Sequence, residues 1–205
     1  MVERGPNSGT KKERMIQTIA RTATKLFSKK GYSETSMEDI ARLLKMSKAN
    51  LYYYFTDKNE ILAHILGSFL DLILDGIDEF LSSTDNVDER LRRFIQRHVD
   101  IYARYMFHAK VLFKEVNNLA HKDLKRAKEK ERQYYRVAKG LIAQYVGSSA
   151  KEEEITALTF FLLGMCNWSY SWYDPKGKIS PSRLSELIYR VFKGGISSLK
   201  KDAGV

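Results

Sequence analysis

Apolar positions recur along this chain at three- and four-residue steps, the period of an amphipathic helix. Ile16, Ile19, Ala20, Ala23, Leu26 and Phe27 form the first stripe and Gly31 ends it, which predicts a helix over about residues 12–30. Thr35 and Ser36 each stand three residues before a carboxylate, Glu38 and Asp39, the spacing of a capping box. Met37, Ile40, Ala41 and Leu44 make a short second stripe, broken at Lys45-Met46. Ser47 is placed to cap a third helix carrying Leu51-Tyr52-Tyr53-Tyr54-Phe55. From Asp57 a long fourth helix is expected, with Ile61, Ile65, Phe69, Ile73, Ile77 and Phe80 on one face.

The polar run Ser82 to Arg90 interrupts the pattern, and Leu91, Phe94, Ile95, Val99 and Tyr102 restart it. Further helices are predicted over Lys110–Leu119, over the charged stretch Lys122–Tyr145, and over the apolar stretch Glu153–Trp172. Asp174-Pro175-Lys176-Gly177 is a turn by its chemistry, proline fixing φ and glycine accepting either sign. Ser180-Pro181 opens a last helix bearing Leu184, Leu187, Ile188, Val191 and Leu199. No strand alternation and no internal repeat is present. The class is all-α, with about nine helices.

The second and third helices are short and joined by a tight turn, the spacing of a helix-turn-helix. Leu51 and Phe55 are four residues apart and share the buried face. Lys48, Asn50, Tyr53 and Tyr54 then fall on or beside the opposite face. Lysine can donate to guanine O6 and N7, asparagine can pair with adenine, and a tyrosine ring can touch a thymine methyl. Phenolic hydroxyls also bond phosphate oxygens without reading sequence. On periodicity alone the stretch reads equally as a well-packed helix.

Charge shifts that balance. The 205 residues carry 35 Lys and Arg against 25 Asp and Glu, a formal +10, which suits a polyanionic partner. A basic arm of Arg4, Lys11, Lys12 and Arg14 precedes the first helix stripe. Other classes recede. No apolar run is long enough to span a bilayer, so no membrane partner is expected. The N-terminal segment lacks the apolar core of a secretory signal. Cys166 is the single cysteine, so a disulfide framework is excluded and a reducing, cytoplasmic setting is expected. His64, His98, His108 and His121 show no metal-ligand spacing. No nucleophile elbow, phosphate loop or dinucleotide fingerprint occurs. No catalytic residue, cofactor or metal is expected.

Residues 15–62 resemble the DNA-binding domain of TetR-family transcriptional regulators. The resemblance is carried by Ile19-Ala20, Ala23, Leu26-Phe27, Gly31-Tyr32, Thr35-Ser36-Met37, Ile40-Ala41, Ser47, Leu51-Tyr52, Phe55, Lys58 and Leu62. It implies a basic arm and helix-turn-helix domain over 1–56 and an effector-binding and dimerisation domain over 57–205. It implies that Lys48, Ala49, Asn50 and Tyr53 face bases, and that Thr35, Tyr52, Tyr54 and Lys58 hold phosphate, with Ser36 at the same helix start. It implies a homodimer through 153–172 and 181–200 that binds double-stranded operator DNA and is released by a small molecule. One departure is Lys45, where the family's turn usually carries glycine; a lysine there holds the turn's backbone geometry at a cost.

For the second domain the resemblance places a pocket between the fourth helix and the middle helices. Leu66, Phe69, Leu70 and Ile73 supply one wall of it. Tyr102, Met106, Phe107, His108 and Phe113 supply a second, and Phe161, Met165 and Trp168 a third. The same aromatic surface reads as core and dimer interface. The run MCNWSYSWYDPKGKIS is similar to family members that govern fatty-acid or sterol degradation and sense acyl-CoA thioesters, which makes an acyl-CoA the expected effector class. The run His121–Arg132 could meet its phosphorylated head group, or be a solvated helix face with i, i+4 ion pairs.

Overall fold

The computed structural model describes residues 10–148 and 150–202. Arg4 of the basic arm lies outside them, as does the side chain of Leu199. Among the described residues every regular element is helical. They are α1 (Lys11–Lys30), α2 (Met37–Leu43), α3 (Lys48–Tyr54), α4 (Lys58–Leu74), α5 (Ile77–Ser82), α6 (Val87–Arg104), α7 (Met106–Glu115), α8 (His121–Val146), α9 (Glu152–Asn167), α10 (Ser169–Trp172) and α11 (Pro181–Asp202), with a 3-10 turn over Val116–Asn118.

Two of these are short continuations of a neighbour. The fourth helix does not run to Phe80 as its stripe suggested. It ends at Leu74, and Gly76 at φ +61° restarts the chain as α5. A left-handed residue cannot sit inside a helix, and glycine adopts that conformation freely. The Glu153–Trp172 stretch likewise splits at Trp168 into α9 and α10. Counting each broken pair as one rod returns the nine expected among the described residues.

The described residues form two compact units. One holds the chain up to Phe69 together with Lys110–Ala127, and the other holds Leu70–Ala109 with the chain from Lys128 onward. In the first unit α1 packs on α2 and α2 on α3. Ile19, Ala20, Ala23 and Phe27 of α1 are buried, as are Met37, Ile40 and Ala41 of α2, with Leu51 and Phe55 closing the third side. Burial of each large side chain contributes about 1.5–3 kcal/mol before entropy is counted. Leu51 and Phe55 are the pair the helical wheel assigned inward.

In the second unit α6 packs on α5, α9, α10 and α11. Its buried face, Leu91, Phe94, Ile95 and Val99, joins one core with Leu141 and Ile142 of α8, Leu162 and Cys166 of α9, and Leu184, Ile188 and Phe192 of α11. Asp88 ties three of these helices, accepting from Tyr145 Oη of α8 at 3.1 Å and from Tyr189 Oη and Lys193 Nζ of α11 at 2.5 and 2.9 Å.

Candidate nucleic-acid interface

The interface is built on three caps. Thr10 and Glu13 form a reciprocal capping box at α1. At α2 the choice between Thr35 and Ser36 falls on Ser36, whose Oγ accepts from the Asp39 N–H at 3.1 Å while Asp39 Oδ2 accepts from the Ser36 N–H at 3.1 Å. Asp39 also meets Lys30 at 3.1 Å and Arg42 at 2.6 Å. The Ser36 N–H, followed by Lys30, holds its carboxyl down at about 2. At α3, Ser47 Oγ accepts from the Asn50 N–H at 3.1 Å. A seven-residue helix is too short to be stable alone, so this cap and the buried Leu51 fix where α3 starts and which way it faces.

The turn before α3 is a Schellman closure. The Met46 N–H bonds the Ala41 carbonyl at 3.0 Å and the Lys45 N–H bonds the Arg42 carbonyl at 3.2 Å. Lys45 occupies the left-handed position at φ +52°, the only described non-glycine residue with positive φ. The glycine-like geometry of the turn is therefore kept with a lysine in it.

With Leu51 inside, α3 turns Lys48, Ala49, Asn50, Tyr52 and Tyr53 to solvent, Tyr53 being 69% exposed. Tyr54 is half-buried and meets the Tyr53 ring edge-on at 5.0 Å. Lys11, Lys12 and Arg14 are exposed on the first turn of α1, and the Lys12 ammonium lies 5.3 Å from the centre of the Tyr53 ring. The start of α1 and the outer face of α3 thus form one basic, aromatic surface. A recess of about 390 Å³ adjoins it, lined by Lys48, Tyr52 and Lys58 on one side and Glu34, Ser36 and Glu38 on the other.

Two sequence-selected residues sit differently. Thr35 is 1% exposed, and its hydroxyl donates to the Gly31 carbonyl at 2.7 Å; the side chain is turned inward and closes the α1–α2 loop. Lys58 is half-buried, and Nζ donates to the Tyr32 carbonyl at 2.7 Å while lying 4.2 Å from the centre of the Tyr32 ring. A lysine so held braces the loop with its charge as well as with its stem.

The residues selected for an effector pocket divide between the units. Leu66 and Phe69 are buried and Phe113 is partly exposed in the first. In the second, Leu70, Ile73 and Tyr102 are buried, and Met106, His108 and Met165 are half-buried. Phe107 is 38% exposed, whereas Phe161 and Trp168 are more than half exposed. Beside Tyr102 the second unit buries a polar centre that sequence reasoning missed. His98 Nδ1 lies 2.7 Å from Tyr134 Oη, its ring lies 4.1 Å from that of Tyr102, and burial pushes its pKa down to about 3. Burial also pushes the Cys166 thiol up to about 12, so it is not a nucleophile at neutral pH. Among the described residues no group of three or more His, Cys, Asp and Glu could hold a metal ion, and no helix is long and apolar enough to cross a membrane.

Comparison with known proteins agrees with this architecture. Residues 19–65 match the family described as bacterial regulatory proteins, tetR family, and residues 84–196 match the tetracyclin repressor-like C-terminal domain. The chain is 22% identical over 191 residues to the HTH-type transcriptional repressor KstR2 of Mycolicibacterium smegmatis, covering 90% of this chain and 91% of that one. It is 29% identical over 125 residues to the biofilm operon icaADBC negative regulator IcaR of Staphylococcus epidermidis, covering 54% of this chain and 67% of that protein. Among solved structures, a TetR-family transcriptional regulator from Bordetella parapertussis superposes with a TM-score of 0.84 at 29% identity, over 88% of this chain and 94% of that one. AibR in complex with isovaleryl coenzyme A and operator DNA shares the fold, with a TM-score of 0.75 at 23% identity over 86% of this chain and 96% of that one.

Proposed function

The chain belongs to the TetR family of transcriptional regulators and works by binding DNA rather than by catalysis, and on that premise we propose that it is an operator-binding homodimeric repressor released by a small apolar effector, an acyl-CoA in the first instance. The observation that carries the DNA reading is the outer face of α3, a capped helix that buries Leu51 and leaves Lys48, Ala49, Asn50 and Tyr53 open. In the major groove these four read base edges. Ser36, Tyr52, Tyr54, Lys11, Lys12 and Arg14 hold the flanking phosphates, a task that needs charge and hydroxyls but no particular sequence. Cytoplasmic placement goes with that partner.

The dimer is supported by surface that a monomer would leave wet. Phe160 and Phe161 on α9, Trp168 at its C-cap and Val191 on α11 are each 60% or more exposed. Gly194 and Gly195 on α11 have open space where a Cβ would point, so a second backbone can come close there. Contiguous aromatic surface of this kind marks an interface, and α9 and α11 pack together. A two-fold axis would set two copies of α3 about 34 Å apart, one turn of duplex.

The effector class is supported by the apolar side chains of the second unit and by AibR, a protein of the same fold known in complex with isovaleryl coenzyme A. The test is direct. A duplex is enriched from a random library by the protein, and its affinity is measured by fluorescence anisotropy at several salt concentrations. Lys12→Ala, on the phosphate-holding side of that surface, is expected to flatten the slope of log K against log salt by about 0.9, one phosphate-equivalent of released counterion. An equal slope removes Lys12 from the contact set. A series of acyl-CoA thioesters is then added. At about 100 times its Kd an effector stabilises the fold by about 2.7 kcal/mol, so a chain-length series that neither raises the melting temperature nor releases the duplex rejects the acyl-CoA class while leaving DNA binding intact.

A further inference from the structure

The chain passes from the second unit into the first at Lys110 and leaves it again after Ala127. Within that excursion Val116–Asn118 is a single 3-10 turn and Leu119 is extended. The corner is exposed at Asn118 and Ala120, and beyond the Leu119 N–H bond to the Val116 carbonyl the Asn118 carbonyl and the Ala120 N–H take partners outside the flanking helices. A side chain of α4 supplies them. Asn59 Nδ2 donates to the Asn118 carbonyl at 2.7 Å, and Asn59 Oδ1 accepts from the Ala120 N–H at 3.1 Å. The amide pairs with the corner much as a neighbouring peptide would, and the two bonds together fix which end of the amide is which.

Glu115 extends the same network. Its Oε2 accepts from Asn118 Nδ2 at 2.8 Å, and its Oε1 accepts from the backbone N–H of Tyr32 at 3.3 Å. Tyr32 is the residue after Gly31, whose φ of +95° turns the chain out of α1. Its carbonyl and ring take the Lys58 ammonium, and its ring meets Phe27 edge-on at 5.2 Å. Its hydroxyl lies 3.4 Å from Asn59 Nδ2. Four residues further on, Ser36 starts α2. Tyr32 is therefore the point at which the 110–127 corner grips the loop that carries the helix-turn-helix. None of these residues belongs to α3 or to the basic first turn of α1.

We propose that Asn59 and Glu115, acting through Tyr32, are positioning residues for DNA binding: they latch the helix-turn-helix to the 110–127 corner, and opening the latch lowers DNA affinity without removing any phosphate contact. The inference rests on the operator-binding reading above. Both ends of the corner are covalently continuous with the second unit. An unlatched helix-turn-helix must be ordered on binding, which costs affinity at every salt concentration alike. Loss of a phosphate contact instead changes the salt slope.

The test uses the full chain and the enriched duplex. Asn59→Ala and Glu115→Ala are expected to weaken binding about tenfold each, the scale of one or two hydrogen bonds, with log K against log salt parallel to wild type. The double variant is expected to lose less than the product of the two, because both open one latch. Glu115→Gln keeps an acceptor for the Tyr32 N–H and is expected within about threefold of wild type. Should either alanine variant lose its native far-UV spectrum, Asn59→Asp takes its place; it keeps the Ala120 acceptor and loses the Asn118 donor. Wild-type affinity in the alanine variants overturns the latch, and so does a slope that falls by about one. A wild type that enriches no duplex overturns the operator reading itself, which is a separate and distinguishable failure.

Discussion

Lys45 is a lysine in a glycine's place. At φ +52° it carries the left-handed strain that closes α2, about 1–2 kcal/mol for a residue with a Cβ. Glycine would remove that strain but return conformational freedom to the unfolded chain. Lys45→Gly is therefore expected to raise stability by about 0.5–1 kcal/mol, read as a higher urea midpoint at unchanged m. A lower midpoint refutes the strain. His98 offers a second residue-scale test. Its folded pKa of about 3 lies below the ordinary value near 6.5. The unfolded state therefore takes up a proton below that value while the folded state does not. His98 thus costs no stability above pH 6.5, and stability falls as the pH drops from there toward 3, by at most about 1.4 kcal/mol per pH unit. His98→Gln keeps a partner for Tyr134 and cannot protonate in that range. Its urea midpoint is expected to fall less steeply than wild type between pH 6.5 and 5, and identical slopes would remove His98 from the acid sensitivity.

At the scale of elements, α3 shows how few residues a short helix depends on. Of its seven residues only Leu51 is buried, and Ser47 provides its side-chain cap. Ser47→Ala is expected to cost about 1 kcal/mol and to weaken duplex binding as α3 frays. Unchanged affinity with an unchanged melting temperature would show that packing alone holds the helix. Periodicity foretold the start of α1, the inward pair Leu51 and Phe55, and the break at Lys45. It misjudged α4, because Ile77 and Phe80 keep the helical period after Gly76 has broken the backbone. Hydrophobic spacing reports which side chains face inward, and a left-handed glycine between two stripes leaves that spacing intact. Thr35 was misplaced for a related reason. Thr35 and Ser36 both satisfy the capping-box spacing, and only the packing of the loop after Gly31 decides which one turns inside.

For the whole molecule, the proposed dimer rests on the exposed aromatics of α9 and the open glycines of α11. Trp168→Asp and Val191→Arg each place a charge on that surface. Either is expected to shift sedimentation from a species of twice 23.7 kDa toward monomer and to abolish tight duplex binding, since one α3 alone engages a single half-site. A variant that stays dimeric and binds normally would place the interface elsewhere. Net charge acts at this scale as well. A formal +10 speeds encounter with any duplex and makes non-specific binding strongly salt-dependent, so affinity comparisons among variants hold only at matched ionic strength.

The order of amino acids by itself determined the all-helical class, the helix-turn-helix and the basic aromatic face of α3. These follow from short-range rules: the period of apolar residues, the reach of a capping hydroxyl and the angle between neighbours on a wheel. Asn59 meeting Ala120, Glu115 meeting Tyr32 and Tyr134 meeting His98 were beyond it. Each pair lies far apart along the chain and is brought together only when helices pack. Which polar group finds a partner inside a fold depends on that packing, because a hydrogen bond forms over about 3 Å and no spacing along a sequence specifies so short a distance between remote segments.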